Sequence, residues 1–176
     1  MDIRYFKRPP RRLLADLLRR EHDREFPENL HVLDPEARIW RSGQPVAGDL
    51  NSLSDLGFRS VLNLRRHHSD QPLLAGTGIR EYRYYFHLPA NDDMIRVLRI
   101  VRRAEKPLLI HCWHGSDRTG AVAVGYRIVF NGWTLNEALN EFLTPCYGHH
   151  PRLYWALPRV LRRCDWKRIA AAVEAD

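Results

Sequence analysis

His111-Cys112-Trp113-His114-Gly115-Ser116-Asp117-Arg118-Thr119-Gly120 stands between the apolar run Leu108-Leu109-Ile110 and the mainly apolar stretch Ala121 to Phe130. A short apolar run, a glycine-bearing polar segment and a longer apolar segment read as strand, loop and helix. Such a unit aims the loop's N–H groups and the positive end of the helix at one point, which makes an anion site. Gly115 lets the backbone curl tightly, and Gly120 permits close packing of the helix. Trp113, His114, Gly115, Ser116, Asp117 and Arg118 are therefore read as a phosphate-sized cradle around Cys112.

Each residue type has a chemical reason. A helix N-terminus and neighbouring cations favour the thiolate over the thiol. Cys112 is accordingly read as a nucleophile for covalent catalysis. Arg118, six positions later, offers a planar fork of donors that suits phosphate oxygens in a way lysine does not. Thr119 is expected to hydrogen-bond the Cys112 sulfur and ease its departure, and His111 to hold the loop from below. The bland alternative for Cys112 is a small buried hydrophobe at a strand end. The glycines, Arg118 and the flanking elements weigh against it. Thiolate chemistry of this kind calls for no metal and no cofactor.

Working outward, Leu30–Leu33, Arg38–Arg41, Ser60–Leu64, Glu81–His87 and Leu108–His111 read as strands. Pro45–Leu56 reads as a helix stopped by Gly57. Asn91-Asp92-Asp93 is expected to cap a helix running to about Arg103, and another is expected over Arg118–Phe130. Thr134 with Glu137 forms a capping box. Pro151 and Asp165 mark two further helix starts, with Pro158 a kink or break between them. Helical stretches between strands suggest crossovers. The expected fold is a single α/β domain, a mainly parallel sheet of about five strands flanked by helices.

The loop residues resemble the His-Cys-x5-Arg-Ser/Thr-Gly motif of the protein tyrosine and dual-specificity phosphatase superfamily. His111, Cys112, Gly115, Arg118, Thr119 and Gly120 carry the match. Arg41-Ser42-Gly43-Gln44-Pro45, Val61-Leu62-Asn63-Leu64-Arg65 and Tyr126-Arg127 look like bacterial atypical dual-specificity phosphatases, whose plant and fungal relatives act on phosphoproteins and inositol phosphates. The resemblance spans roughly Asn29 to Arg163. It implies a dual-specificity-phosphatase-like fold and a phosphocysteine intermediate. It also implies a general-acid aspartate on the loop before the Cys112 strand. Asp92 and Asp93 lie there, 20 and 19 positions ahead of Cys112. Asp92 is the first choice, Asp93 the second and Asp117 the third; helix capping is the competing role.

Composition sets the frame. The 176 residues are 44% hydrophobic and 28% charged with net charge +7, which fits an ordinary globular domain and favours anionic partners. Arginine richness from genomic base composition explains the charge equally well. The expected partner is a phosphorylated protein or a small phosphorylated anion; nucleic acid is not favoured. Arg65 and Arg66 either steer such a substrate or belong to a solvated loop. His114 either touches substrate or is satisfied by backbone, and its place two residues after the cysteine resembles RNA 5′-phosphatases. A phosphate-binding adaptor without turnover is the reading from another class. His149-His150, without a third ligand at useful spacing, reads as a polar loop. Cys146 and Cys164 read as ordinary cysteines, and three well-spaced cysteines fit a reducing compartment, the cytoplasm. No run is long enough to span a membrane, and no signal sequence is visible. Residues 1–28 are expected to be an amphipathic helical extension, with a membrane-surface or nucleic-acid helix as alternative. Residues 29–176 are expected to be the phosphatase domain. A monomer is expected.

Overall fold

Runs of four residues with every side chain buried belong to strands covered on both faces. Ile39–Ser42, Ser60–Asn63 and Leu108–His111 are such runs. The computed structural model describes residues 26–87 and 89–175. It places them at the centre of one sheet formed by β1 (His31–Asp34), β2 (Ile39–Ser42), β3 (Ser60–Asn63), β4 (Arg80–Arg83) and β5 (Leu108–His111). The order is β1-β2-β5-β3-β4. β1 pairs antiparallel with β2, and the other pairings are parallel. The more exposed strands, β1 and β4, take the two edges.

Six helices are described: α1 (Ala47–Asp55), α2 (Asn91–Arg103), α3 (Asp117–Val129), α4 (Leu135–Phe142), α5 (Leu157–Arg163) and α6 (Trp166–Glu174). Side chains alternate across the sheet. Val61 and Leu109 join Leu50 and Leu53 of α1 in a smaller core. Leu62, Leu108 and Ile110 face a larger core that includes residues of α2, α3, α4, α5 and α6. The central helix α3 is buried nearly all round its first three turns, which is why its sequence shows no clear polar face. No helix among the described residues is long and apolar enough to cross a membrane.

The five-stranded, mainly parallel α/β sheet flanked by helices is the architecture expected from the sequence. Strand β5 and the capping box of Thr134 with Glu137 fall where expected, and Asp165 caps α6 through Arg168 N–H. Several details differ. The connection from β3 to β4 is made of turns, not a helix. The strand expected over Glu81–His87 ends at Arg83, although Tyr84 and Phe86 N–H still bond to Asn63 O and Leu64 O. Pro158 does not kink a helix begun at Pro151. It lies in the first turn of α5, where a missing N–H leaves no bond unmade. The cap of α2 is Ala90, because Asn91 turns its Oδ1 to Asp165 N–H at 3.0 Å. The helix expected within residues 1–28 lies outside the described residues.

Gly120 tests the packing of α3. A Cβ there would stand 2.6 Å from two ring carbons of Phe142 and 3.2 Å from Arg41 Nη2. Phe142 is buried in the larger core and has nowhere to step aside. Gly120→Ala is expected to cost about 1–3 kcal/mol through overpacking. Urea unfolding should show a lower midpoint at unchanged slope. A wild-type midpoint would mean that α4 yields freely.

Candidate active site

A loop becomes an anion cradle when its carbonyls are occupied elsewhere, leaving its N–H groups to converge inward. Here the carbonyls of His111, Trp113, His114, Gly115 and Ser116 all accept from donors outside the cradle. His111 O accepts from Leu64 N–H at 3.0 Å and Trp113 O from Gln44 N–H at 2.9 Å. The Nδ1 of His111 lies 3.2 Å from Cys112 O. His114 O accepts from Asn29 Nδ2 at 2.9 Å. Buried Arg41 donates one Nη2 to both Gly115 O and Ser116 O, at 2.8 and 3.2 Å, and lies over the Tyr147 ring. Gly115 has φ +75°, and a Cβ on it would meet the Ser42 carbonyl carbon at 2.4 Å. Only glycine fits there.

Cys112 lies buried at the centre, and its Sγ accepts from Gly115 N–H at 3.3 Å. Thr119 was expected to reach that sulfur. Its Oγ1 is buried and makes no hydrogen bond among the described residues, so the glycine amide serves the sulfur in its place. Arg118 is half-buried at the start of α3, and its Nη1 donates to Leu64 O at 3.3 Å.

His111 is itself held by a residue that no motif marks, Asp70. Its Nε2 lies 2.7 Å from the buried carboxylate of Asp70. Gln44 Nε2 donates to the same carboxylate at 2.8 Å, and Arg65 Nη1 donates to Gln44 Oε1 at 2.8 Å. Burial raises the pKa of Asp70, but the bonds from His111 and Gln44 and the charges of His111 and His68 outweigh it and hold the carboxyl below its ordinary value. The chain His111–Asp70–Gln44–Arg65 thus runs from beneath the loop to its rim. There the Arg65 guanidinium stacks on exposed Trp113 at 4.2 Å. Burial, then the like charge of Arg118, lowers the pKa of Arg65, while Asp70 and Cys112 act the other way. Arg65 therefore shares the electrostatic field of the Cys112 site. Arg66 lies further out, over Tyr85 at 5.4 Å.

Asp117 does not face an empty cradle. Its Oδ1 lies 2.7 Å from His149 Nδ1 and accepts from His150 N–H at 2.9 Å, and its Oδ2 lies 2.8 Å from His150 Nδ1. The His114 and His150 rings lie 4.8 Å apart. The local spacing around His149-His150 offers no third ligand, but the fold supplies Asp117 and His114 from 33 and 36 positions away. His149 and His150 lie in a loop, where they enclose the buried Asp117 carboxylate.

The two aspartates at the head of α2 have different surroundings. Asp93 accepts from Tyr84 O–H at 2.5 Å, and burial followed by that bond pushes the Tyr84 pKa up to about 12. Asp92 pairs with Arg168 at 2.7 Å, with side chains 69% and 57% exposed. Cys164 is half-buried and Cys146 exposed; both are free thiols, as is Cys112.

Asn29, Arg41, Gln44 and Asp70 are the supporting residues that sequence reasoning passed over in their roles. Gln44 and Arg41 lay in a quoted motif, Arg41-Ser42-Gly43-Gln44-Pro45, which marked the place without giving the function. Asp70 lies in a turn-rich connection 41 positions before His111, and nothing local distinguishes it from any other turn aspartate.

Residues 27–149 match the model of the tyrosine phosphatase family. The dual specificity protein phosphatase TpbA of Pseudomonas aeruginosa is 33% identical over 124 residues, covering 68% of this chain and 56% of that protein. The inositol diphosphatase DSP1 of Oryza sativa is 32% identical over 117 residues, covering 59% of this chain and 51% of that protein. The chain therefore spans about half the length of these curated relatives. The crystal structure of P. aeruginosa TpbA superposes with a TM-score of 0.74 at 25% identity, covering 87% of this chain and 99% of that one. With 27–149 matched and the cradle built around Cys112 and Arg118, the chain belongs to the tyrosine phosphatase family.

Proposed function

We propose that this chain is a cysteine-dependent phosphatase that hydrolyses phosphate monoesters on phosphotyrosine, phosphoserine or phosphothreonine of proteins. The observation that carries the reading is the loop from His111 to Ser116, with five of its carbonyls bonded elsewhere around a buried cysteine and an adjacent arginine. The Cys112 sulfur attacks phosphorus as the P–O bond to the leaving group breaks, and the general acid supplies that oxygen with a proton. Water then attacks the phosphocysteine, releasing phosphate and the thiolate. Arg118 and the loop N–H groups hold the equatorial oxygens through both steps. The Thr119 hydroxyl, buried without a hydrogen-bond partner among the described residues, is available to the sulfur when it departs. A crystal structure of TpbA in complex with phosphotyrosine supports the substrate class by analogy.

The stacked rim, Arg65 on Trp113 and Arg66 over Tyr85, favours a second reading, an inositol polyphosphate as substrate. The inositol diphosphatase relative has the same leaning. Initial rates on phosphotyrosine peptide, phosphoserine peptide, inositol hexakisphosphate and 5′-triphosphate RNA, all in excess EDTA, separate these. A peptide preference supports the first reading and an inositol preference the second. Phosphate binding without turnover on any of them would make the chain an adaptor. Turnover is expected to survive EDTA, and the chain to sediment as a monomer. The need to keep Cys112 reduced supports a cytoplasmic location.

Asp92 is the proposed general acid. Asp93 is tied to Tyr84, whereas among the described residues Asp92 is held by an exposed ion pair to Arg168 worth no more than about 1 kcal/mol, which it can leave readily. Asp92→Asn is expected to lower kcat/KM on poor leaving groups by roughly 10²–10⁴-fold and to flatten the alkaline limb of the pH profile. Activated aryl phosphates should lose much less. Equal loss on both substrate types, or loss on neither, would assign the acid elsewhere.

A further inference from the structure

The outer wall of the loop carries a second cluster that the phosphatase chemistry leaves unused. One ligand atom each from His114, Asp117 and His150 can be chosen so that all lie within 4.8 Å of one another. Two imidazoles and a carboxylate are a donor set suited to a first-row divalent ion such as zinc. Zn–N and Zn–O bonds of about 2.0–2.2 Å put tetrahedral ligands roughly 3.3–3.5 Å apart. Asp117 Oδ2 and His150 Nδ1 are already 2.8 Å apart. Closing the set to that spacing takes shifts of about 1.5 Å or less, which the exposed His114 ring can supply as the Asp117–His150 hydrogen bond gives way to the ion.

Asp117 is also prepared in the manner of a metal-bound carboxylate. Its Oδ1 is fixed by His149 Nδ1 and by His150 N–H, and its Oδ2 faces the cluster. Such outer bonds orient a ligating group before the ion arrives. The carboxylate is itself buried, 2% exposed, while His114 is exposed and His150 half-exposed. An ion can therefore enter from the solvent side, where a water would fill the fourth position.

We propose that His114, Asp117 and His150 form a zinc site on the outer wall of the cradle, distinct from the Cys112 centre and not required for turnover. Zinc there fastens the loop to the segment that follows α4, adding to the hydrogen bonds and ring contact by which the two stretches already meet.

The test uses the full chain carrying Cys112→Ser, which removes the reactive thiol as a competing ligand. Cobalt(II) is titrated as the spectroscopic probe and then displaced by zinc. One equivalent of cobalt should bind with visible d–d bands and without a thiolate-to-cobalt charge-transfer band. Zinc should displace it and raise Tm. His150→Gln and His114→Gln, each placed in this background, should weaken binding about tenfold or more and reduce the zinc-induced rise in Tm. Far-ultraviolet circular dichroism and the metal-free Tm establish that both variants are folded. The proposal is overturned by unchanged affinity in both variants. It is equally overturned by a thiolate band that places the ion on Cys146 or Cys164, or by no saturable binding at millimolar cobalt. Because binding is read directly, the result is independent of whether the chain turns over any given phosphoester.

Discussion

Cys112→Ser is expected to lose turnover by on the order of 10⁴-fold or more, above about 5 kcal/mol in the barrier, while still binding phosphate or vanadate. The two halves of this result have separate causes. A serine hydroxyl is a far poorer nucleophile at neutral pH unless a base is placed beside it, and the sulfur's hydrogen-bonding neighbour is the Gly115 N–H, a donor that removes no proton. The cradle, by contrast, is built without the sulfur. Its carbonyls are held by Leu64, Gln44, Asn29 and Arg41, none of which Cys112→Ser disturbs. Isothermal titration with vanadate and single-turnover kinetics on an aryl phosphate would measure both halves. Turnover near wild-type would remove the covalent mechanism, and loss of vanadate binding would mean that the sulfur itself shapes the cradle.

Arg118→Lys is expected to cost roughly 10²–10³-fold in kcat/KM, about 2.7–4 kcal/mol, the range seen when a donor aimed at transition-state charge is removed. A lysine keeps the charge and loses the planar pair of donors that spans two phosphate oxygens. It also loses the anchor from Arg118 Nη1 to Leu64 O, 3.3 Å in this structure. On the proposed mechanism the guanidinium serves both as the clamp and as a tie to the end of β3. The loss should fall on kcat as well as on KM, since charge on the equatorial oxygens is greatest in the transition state. A loss under about tenfold, roughly 1.4 kcal/mol, would mean that Arg65, which lies in the same electrostatic field, carries the clamp.

The two arginines show how far local reasoning reaches. Arg118 is legible because strand, glycine loop and helix follow one another without a break, so its position relative to Cys112 is set by a few backbone angles. Arg65 was quoted within Val61-Leu62-Asn63-Leu64-Arg65, yet its relay through Gln44 to Asp70 joins three separate connections of the sheet. Helix starts divide in the same way. Thr134 caps α4 through its own Glu137, a bond between neighbours in sequence. Asn91 was expected to cap α2 and is drawn instead to Asp165, 74 positions away.

The five-stranded, mainly parallel sheet and the glycine loop that sets Cys112 and Arg118 between a strand and a helix follow from the sequence by itself, because short apolar strands and the turn between strand and helix are encoded by residues that are near neighbours. Tertiary structure alone decided what stands around that loop. Asp70 beneath His111, Arg41 and Asn29 behind the carbonyls, and His150 beside Asp117 come from 33 to 85 positions away. Their side chains are ordinary turn, strand and loop residues until the sheet closes. A buried donor or acceptor must find a partner wherever the fold supplies one, and that requirement leaves no periodic trace in the sequence.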